Sequence, residues 1–311
     1  MRGPHNIFRL IRTGATFERT GAMNVILNAY QAPVGLRLAA KILGWPFQWL
    51  GYKGDPAMPP VTRALTALGP AYIKFGQILS TRPDVVGDEL AVQLRVLQDK
   101  LPPFPIEEAQ KMIEAELERP LASMFQDFSA PVAAASIAQV HRAKLASDGA
   151  DVAVKVLRPG IERAFRRDID AFYFAARMVE VLAPGARRLR PLDVIAHFEG
   201  VVLGELDLRL ESSAAGEFAA NTESDEGFQL PKINWSLSGK NVMTMDWAEG
   251  ISAGDNAALD AAGHDRRRIG ERILQLFLSH ALRDGFFHAD LHQGNIKIAA
   301  NGDVIAYDFG I

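Results

Sequence analysis

The stretch HADLHQGN, residues 288–295, followed by DFG at residues 308–310, decides how this chain is expected to fold. Asp290 and Asn295 stand five residues apart, and Asp308 follows after a segment that alternates like a short hairpin. Carboxylate and amide oxygens brought together in this way are the hard ligands that Mg²⁺ prefers. DFG alone also arises as an ordinary turn, so the weight rests on both motifs occurring in this order. The pattern predicts a magnesium–nucleotide site with Asn295 and Asp308 as metal ligands and Asp290 beside the reacting hydroxyl.

One lysine, Lys155 in the apolar stretch VAVKV, can supply the positive charge that such a site needs. A lone lysine in an apolar strand usually points to solvent. This one follows two predicted strands and precedes Asp290 by 135 residues. Protein kinases place in that order the lysine that holds the α- and β-phosphates and pairs with an acidic residue on a helix. Glu211 is the candidate for that acidic partner.

Three acidic residues, Glu205, Asp207 and Glu211, fall within seven residues of a helical pattern. At 3.6 residues per turn, Asp207 and Glu211 lie near one helix face with Glu205 beside them. Because like charges at such spacing repel one another, we expect a cation to meet them. An ordinary solvated helix face is the alternative.

Two further segments carry candidate site residues. Lys74 and Gln77 in KFGQ are three apart and so share one side of a helix, either as a surface patch or as part of a site. The segment AAASIAQVH, residues 133–141, stands where a kinase carries its glycine-rich phosphate loop, yet it contains no glycine. Its backbone is therefore stiffer and cannot crowd the phosphates in the same way, which argues against an ordinary protein kinase.

Composition indicates a globular protein with a substantial core, since 48% of the 311 residues are hydrophobic. A net charge of −3 gives no sign of a nucleic-acid partner, and the lack of cysteine excludes disulfides, thiol catalysis and cysteine-type zinc sites. We find neither a signal peptide nor a membrane-spanning stretch in the sequence. Apolar residues surround Arg2, Arg9, Arg12 and Arg19, which predicts either a surface for anionic lipid or a solvated helix face.

The order of predicted elements runs from helices to a small antiparallel sheet and then to a helix and a hairpin. Helical spacing marks residues 24–49, 61–80, 88–97, 106–117, 159–182, 192–220 and 265–284. Strands are predicted at 124–129, 138–145, 151–157, 232–235 and 241–246, with turns at residues 147–149 and 301–302. We therefore predict an α+β fold with a helical extension at 1–120, a protein-kinase-like N-lobe with inserted helices at 121–246 and a partial C-lobe at 247–311.

Taken in order, these motifs resemble the UbiB/ADCK family of atypical kinases over residues 68–311. KFGQ followed by STRPD is similar to the family's KxGQ motif, and AAASIAQVHRA is similar to its alanine-rich loop. GELD with Glu211 resembles the ExD motif and helix glutamate, and HADLHQGN resembles the catalytic loop. Leu291 and Gln293 stand where the family often has prolines, which should alter the stiffness of the loop more than its chemistry.

The resemblance implies a role for each motif. Lys155 would hold the phosphates and pair with Glu211. Lys74 would reach the active site from the helical extension, meet Glu205 and Asp207, and with Gln77 occlude the place where a protein substrate docks. The catalytic residues implied are Asp290, Lys155 and Lys74. The nucleotide-binding residues implied are Ala133, Ala134, Ala135, Ser136, Lys155, Glu211, Gln77, Glu205 and Asp207, with Asn295 and Asp308 as the magnesium ligands.

The implied activity is the binding and hydrolysis of Mg-ATP in support of ubiquinone synthesis at the cytoplasmic face of the inner membrane. Expected partners are ATP, isoprenoid quinone intermediates or the enzymes that make them, membrane lipid and, as a further expectation, a second copy of the chain. The alternatives are a nucleotide-gated lipid-binding or chaperone-like module without phosphotransfer, and an ordinary protein or aminoglycoside kinase. Because the sequence stops just after DFG, we also expect a fragment or truncated product of a protein that continues into a full C-lobe and membrane-spanning helices.

Overall fold

The structure is a computed structural model that describes residues 5–29, 34–35, 37–38, 41, 45–95, 97, 103–182, 184–288 and 291–309. The chain divides into two compact units that alternate along the sequence. Unit one comprises Met1–Pro102, Ala135–Ile137 and Gly160–Leu203, and unit two comprises Pro103–Ala134, Ala138–Pro159 and Gly204–Ile311. The three-part division into extension and lobes stays a prediction.

The described helices and strands follow the expected order. The α-helices are α1 (His5–Thr20), α2 (Ala22–Ala29), α3 (Pro60–Leu68), α4 (Pro70–Ser80), α5 (Pro83–Val86), α6 (Asp88–Leu94), α7 (Ile106–Leu117), α8 (Ile161–Leu182), α9 (Pro191–Glu205), α10 (Leu208–Asn221), α11 (Asn256–Ala261) and α12 (Arg266–Ser279). The strands are β1 (Phe125–Gln126), β2 (Pro131–Ala134), β3 (Ala138–Leu145), β4 (Asp151–Leu157), β5 (Phe228–Gln229), β6 (Val242–Asp246), β7 (Ile251–Ser252), β8 (Ile296–Ile298) and β9 (Val304–Ala306).

Unit one is helical, and aromatic side chains on α4, α8 and α9 form part of its core. Phe172 of α8 meets the rings of Tyr72 and Phe75 with centroid distances of 4.8 and 5.3 Å. Phe198 of α9 closes the cluster at 5.2 Å from Phe75. Offset and edge-to-face aromatic pairs of this kind add to the free energy of burial. The cluster fixes α4, the helix that carries KFGQ, against α8 and α9.

Unit two contains two sheets. In the first sheet β3, β4 and β6 are antiparallel neighbours, with β1 and β2 both pairing with β3. Alternate residues Val152, Val154 and Val156 of β4 are buried with Ile113 of α7, so the opposite face of β4 carries Lys155. The second sheet has the order β5-β9-β8-β7, in which only the β5–β9 pair is parallel.

The prediction of one continuous helix over residues 61–80 is wrong. The structure has two helices, α3 and α4, separated by Gly69 with φ +114°. Pro70 is the first residue of α4 and cannot donate a backbone hydrogen bond, so the helix restarts there. Apolar residues recur at helical spacing on both sides of the break because each of the two helices places an apolar face against the core.

The predicted helix 192–220 is likewise two helices, α9 and α10. The first ends at Glu205, and Asp207 is the N-cap of the second, with its side chain accepting from the Arg209 N–H. An aspartate in this position offers the backbone a partner that competes with helix continuation. Asp207 and Glu211 therefore do not share one continuous helix with Glu205, contrary to the sequence expectation.

Other boundaries shift in smaller ways. The predicted strand 232–235 is reduced to one isolated bridge, Ile233 with Met245, and residues 235–237 form a 3₁₀ turn. The predicted strand 124–129 contains only β1, while β2 was not predicted as a strand. Helix 265–284 ends at Ser279 and continues as a π turn to Asp284. Of the predicted helix 24–49, α2 covers the start and residues 45–50 are 3₁₀, while 30–33, 36, 39–40 and 42–44 lie outside the described residues.

Both predicted turns are confirmed. Gly149 has φ +75° and donates to the Leu145 carbonyl, which closes the β3–β4 hairpin. Gly302 has φ +89° and donates to the Ala299 carbonyl in the β8–β9 hairpin. Both need a left-handed residue, which glycine supplies without steric cost. None of the described helices is long and apolar enough to cross a membrane.

Candidate functional site

The centre of the candidate site is the ammonium group of Lys155 on β4. Its Nζ lies 2.6 Å from Glu211 Oε1 on α10 and 3.3 Å from Asp308 Oδ1 beyond β9. The side chains of Lys155 and Glu211 keep only 16% and 9% of their exposure, whereas that of Asp308 keeps 44%. The pairing of Lys155 with Glu211 is therefore observed, while the assignment of either residue to a nucleotide stays a prediction.

The protonation states of the ammonium group and the two carboxylates depend on one another. Burial alone would lower the pKa of Lys155, but the nearby carboxylates of Glu211 and Asp308 outweigh it and raise that pKa. Burial also raises the pKa of Glu211, with Lys155 opposing the shift and Asp308 adding to it. The ammonium group is thus held charged between two acids. A second cation near Asp308 would relieve the repulsion between these carboxylates.

The β8–β9 hairpin brings Asn295 and Asp308 to the same end of the second sheet. Ile296 pairs with Ala306, and Tyr307 N–H donates to the Asn295 carbonyl at 3.2 Å, so the residues just outside the strands are neighbours. His288 Nε2 donates to the backbone carbonyl of Asp308. Phe309 is buried beside the rings of Phe218 and His288. These contacts anchor both sides of Asp308 and leave its carboxylate accessible.

The donor chemistry at this end of the hairpin suits a magnesium ion. Asn295 offers an amide oxygen and Asp308 a partly exposed carboxylate, which are hard oxygen ligands. Asp290, the predicted catalytic carboxylate, lies outside the described residues. Among the residues that the structure does describe, no group of three His, Asp or Glu side chains is arranged to hold a metal. Asn295 and Asp308 would therefore hold Mg²⁺ together with oxygens of the bound nucleotide and water.

Asp207 has an evident local role in unit two. Its carboxylate caps α10 and pairs with Arg209 Nη2 at 2.6 Å. The hydrogen bond from Arg209 holds the pKa of Asp207 below its usual value despite partial burial. Glu205 is the last residue of α9. The predicted meeting of Glu205 and Asp207 with Lys74 stays a prediction.

Lys74 and Gln77 lie on α4 in unit one, three residues apart as the sequence requires. Gln77 Nε2 donates to the Leu97 carbonyl at 3.2 Å. Between them Gly76 approaches so closely that an added Cβ would fall 2.4 Å from a methyl carbon of Leu97 and 2.7 Å from one of Leu65. Close packing therefore explains why the third residue of KFGQ is glycine. A place for this residue in a nucleotide site stays a prediction.

The alanine-rich segment begins as a strand and not as an open loop. Ala133 and Ala134 are in β2 and pair with Val140 and Gln139 of β3. Ala135 and the buried Ser136 belong to the short connection between the strands. Strand pairing restricts this backbone further than the absence of glycine already does. Whether these four residues line a nucleotide stays a prediction.

Sequence reasoning missed a buried polar network behind the alanine-rich segment. His141 donates from Nδ1 to the Ser129 carbonyl at 2.8 Å and accepts at Nε2 from Gln139 at 2.9 Å. Gln139 in turn exchanges two hydrogen bonds with the backbone of Phe104. Burial lowers the pKa of His141, in keeping with a neutral ring. In the sequence, only the residues QVH beside the alanines point to this polar network.

Lys297 also received no role from the sequence. It lies on β8 between buried isoleucines, and its alternation predicts only an outward-facing lysine. In the structure its Nζ donates to the Ala248 carbonyl at 2.7 Å, and burial lowers its pKa. Nothing in the local sequence connects residues 248 and 297, so only the fold shows this contact.

A five-stranded sheet with a lysine–glutamate pair, followed by a helix and a hairpin that ends in an aspartate, defines the kinase-like class of folds. The family model described as "ABC1 atypical kinase-like domain" matches residues 96–311. The chain belongs to this family. The predicted resemblance and the predicted α+β, kinase-like fold are both confirmed.

Curated relatives agree with this placement. The chain is 42% identical over 253 residues to "Probable protein kinase UbiB" of Marinobacter nauticus, covering 80% of this chain and 46% of that protein. It is 38% identical over all 311 residues to the protein of the same name from Shewanella baltica, covering 55% of it, and 43% identical over 239 residues to that from Vibrio cholerae, covering 76% of this chain and 44% of that protein. The chain thus spans about half the length of the curated relatives it matches.

A solved structure shows the same fold. It is the complex of Rv3197 with erythromycin from Mycobacterium tuberculosis, with a TM-score of 0.57 and 29% identity. The match covers 89% of this chain and 66% of that one.

Proposed function

We propose that this chain contains the nucleotide-binding residues of an atypical kinase or ATPase that uses Mg-ATP. The observation that carries the proposal is Lys155 held between Glu211 and Asp308 at 2.6 and 3.3 Å. A buried ammonium group that keeps its charge, beside a carboxylate that stays partly exposed, is suited to receive phosphate oxygens and a divalent cation. The family and the names of the relatives support the same activity.

Each residue would have a distinct task in that reaction. Lys155 would neutralise the α- and β-phosphates, and Glu211 would keep its ammonium group oriented. Asn295 and Asp308 would hold Mg²⁺, which when bound neutralises charge on the β- and γ-phosphates. His288 would fix the backbone of Asp308 by its hydrogen bond to the carbonyl.

We further propose that the activity serves ubiquinone synthesis at a membrane surface, with isoprenoid quinone intermediates or the enzymes that make them as partners. The name of the curated relatives supports the pathway. A surface of unit one supports the membrane: Trp49 is 74% exposed and Phe8 52% exposed, and the guanidinium of Arg12 lies between the rings of Phe8 and Tyr52. Exposed aromatic residues beside arginine are typical of surfaces that rest on anionic lipid.

Calorimetric titration of the 311-residue chain with ADP, with and without Mg²⁺, tests the nucleotide site. We expect Mg-dependent binding that Lys155→Met weakens by about 10- to 100-fold, because a charge-assisted hydrogen bond to phosphate is lost. Asp308→Asn should remove the Mg²⁺ dependence, and Lys111→Met, at an exposed lysine of α7, should bind as the parent does. Equal affinity in the Lys155→Met variant and the parent would contradict the proposal.

Turnover then separates an ATPase from the alternative of a nucleotide-gated lipid-binding module. ATP hydrolysis that is lost in Asp308→Asn favours the enzyme. Nucleotide binding without hydrolysis, together with flotation on anionic vesicles that depends on ADP or ATP, favours the binding module. Trp49→Ser should weaken flotation on those vesicles, and Trp235→Ser, at an exposed tryptophan of unit two, is the matched control.

A further inference from the structure

Lys297 connects the β8–β9 hairpin to the segment that follows β6. Its Nζ donates to the Ala248 carbonyl at 2.7 Å and lies 5.0 Å from the centre of the Trp247 ring. The same Nζ lies 5.6 Å from the centre of the Tyr307 ring. One ammonium group thus contacts two aromatic rings and a backbone carbonyl from two different parts of unit two.

Trp247 is itself fixed to the first sheet. Its backbone N–H donates to the Asp151 carbonyl at 3.0 Å, at the start of β4. The guanidinium of Arg142 on β3 lies 4.8 Å from the centre of its ring and also pairs with the Asp151 carboxylate at 3.1 Å. The indole ring is therefore in contact with two cations, one from β3 and one from β8. Such cation–π contacts are directional and hold a ring in one orientation.

Tyr307 carries the contact to the candidate magnesium ligands. It immediately precedes Asp308, and its hydroxyl donates to the carbonyl of Gly294, the residue before Asn295. Its backbone N–H donates to the carbonyl of Asn295 itself. Lys297 therefore contacts Tyr307, whose hydroxyl and backbone N–H both bond to the backbone just before β8.

We propose that Lys297 is a positioning residue that sets where Asn295 and Asp308 stand relative to Lys155. The first sheet contains Lys155 on β4, and the same strand is hydrogen-bonded to Trp247. The β8–β9 hairpin contains Lys297 and places Asn295 and Asp308 beside one end of its strands. Lys297 and the Lys155–Asp308 ion pair are thus two contacts that join the hairpin to the sheet that carries Lys155 or to the segment fixed to that sheet. The proposal rests on the proposed function, because positioning is defined by the metal ligands.

The test compares three variants of the 311-residue chain. Lys297→Met keeps an unbranched apolar side chain but removes the cation and the hydrogen bond. Lys297→Arg keeps a cation that can stack on Trp247 and donate to the Ala248 carbonyl. Lys111→Met removes an exposed lysine elsewhere in unit two. Each is titrated with Mg²⁺ at saturating ADP and with ADP in the presence of a chelator.

We expect Lys297→Met to weaken the affinity for Mg²⁺ by about 10- to 100-fold, the range found when outer contacts of metal ligands are removed. Affinity for metal-free ADP should stay within about twofold, and Lys297→Arg should restore most of the Mg²⁺ affinity. Equal loss of both affinities in Lys297→Met, or no recovery in Lys297→Arg, would overturn the proposal.

Amide hydrogen exchange tests the role of Lys297 in a way that does not depend on nucleotide binding. In Lys297→Met the amides of 296–298 and 304–306 should exchange faster while those of β3 and β4 do not change. If the parent chain binds no Mg-ADP, the proposed function fails, and faster exchange confined to the hairpin still supports the link through Lys297. Unchanged exchange in the hairpin contradicts the link whatever the nucleotide result.

Discussion

At the scale of single residues, the dominant feature is a buried charge that depends on its partners. Lys155 and Glu211 are almost removed from water, so each would be costly without the other. Asp308 shares the lysine but remains partly exposed. The pair is therefore a fixed element of the site, and under the proposed function Asp308 would exchange its contact with Lys155 for a contact with a bound cation.

A double-mutant cycle on this pair measures that dependence. Lys155→Met should lower the free energy of unfolding by about 3–5 kcal/mol, because Glu211 stays buried without a cation. Combining it with Glu211→Gln should recover part of the loss and give a coupling energy of about 1–3 kcal/mol. Chemical denaturation of the four proteins provides the values.

The exposed pair Arg166–Glu162, one helical turn apart on α8, is the control cycle. Its coupling should be about 0.3–0.5 kcal/mol, as for other exposed helix pairs. A coupling between Lys155 and Glu211 that is no larger than this value would mean that the pair is solvated in solution.

At the scale of elements, the break between α9 and α10 gives Asp207 two separable properties. Its side chain caps α10, and its charge is the property that the family resemblance assigns to the site. Asparagine keeps the cap and removes the charge, whereas alanine removes both. A loss of function in either variant can therefore be assigned to the helix or to the charge.

Asp207→Ala should lower the free energy of unfolding by about 1 kcal/mol, and Asp207→Asn should stay within about 0.5 kcal/mol of the parent. Asp265→Ala at the equivalent cap of α12, where the side chain accepts from the N–H groups of Arg267 and Arg268, should resemble Asp207→Ala. Thermal and urea denaturation check these values. If Asp207→Asn is as unstable as Asp207→Ala, capping does not explain the role of Asp207 in the fold.

Elements could be predicted wherever the sequence carries a local period. β3, β4 and the two glycine turns were found because alternation and turn residues act over a few positions. The division at Gly69-Pro70 was readable in principle, since proline restarts a helix, but the apolar spacing across it concealed the break. The division at Leu206 was readable only in part, because the Asp207 cap is local but the backbone hydrogen bond from Leu208 to the Lys240 carbonyl, 32 residues away, is not.

The same limit applies to the candidate site. Motif order predicted the Lys155–Glu211 pair without any knowledge of distances. The contact of Lys155 with Asp308, 153 residues away, and that of Lys297 with Ala248 depend on how strands from separate parts of the chain are placed. Local sequence does not encode such contacts, so the supporting residues of the site emerged only from the fold.

At the scale of the whole molecule, the pKa of Tyr72 predicts how the free energy of unfolding changes at alkaline pH. Burial raises its pKa to about 12, although the hydrogen bond with Thr13, at 2.8 Å, acts in the opposite direction. The unfolded chain releases this proton near pH 10, and the folded chain holds it for about two further pH units. The unfolded state thus binds fewer protons in this window, and stability falls as the pH rises.

We expect the parent to lose about 1 kcal/mol more than Tyr72→Phe between pH 10 and 11, because phenylalanine has no proton to release. Below pH 9 the difference between the two proteins should not depend on pH. Urea denaturation at pH 8, 9, 10 and 11 measures both curves. Parallel curves across the whole range would mean that Tyr72 titrates normally in the folded protein.

The alternation of the two units along the sequence has a consequence for the order in which the protein matures on the ribosome. Unit one begins at the N-terminus but needs Gly160–Leu203 to be complete, so its first helices wait for about a hundred further residues. At ordinary rates of translation that delay is roughly 5–20 s. During this interval α1 and α4 lack their packing partner α8, so apolar surface that the folded unit buries stays exposed on the nascent chain. The ion pair of Lys155 with Asp308 cannot form until synthesis has reached the β8–β9 hairpin.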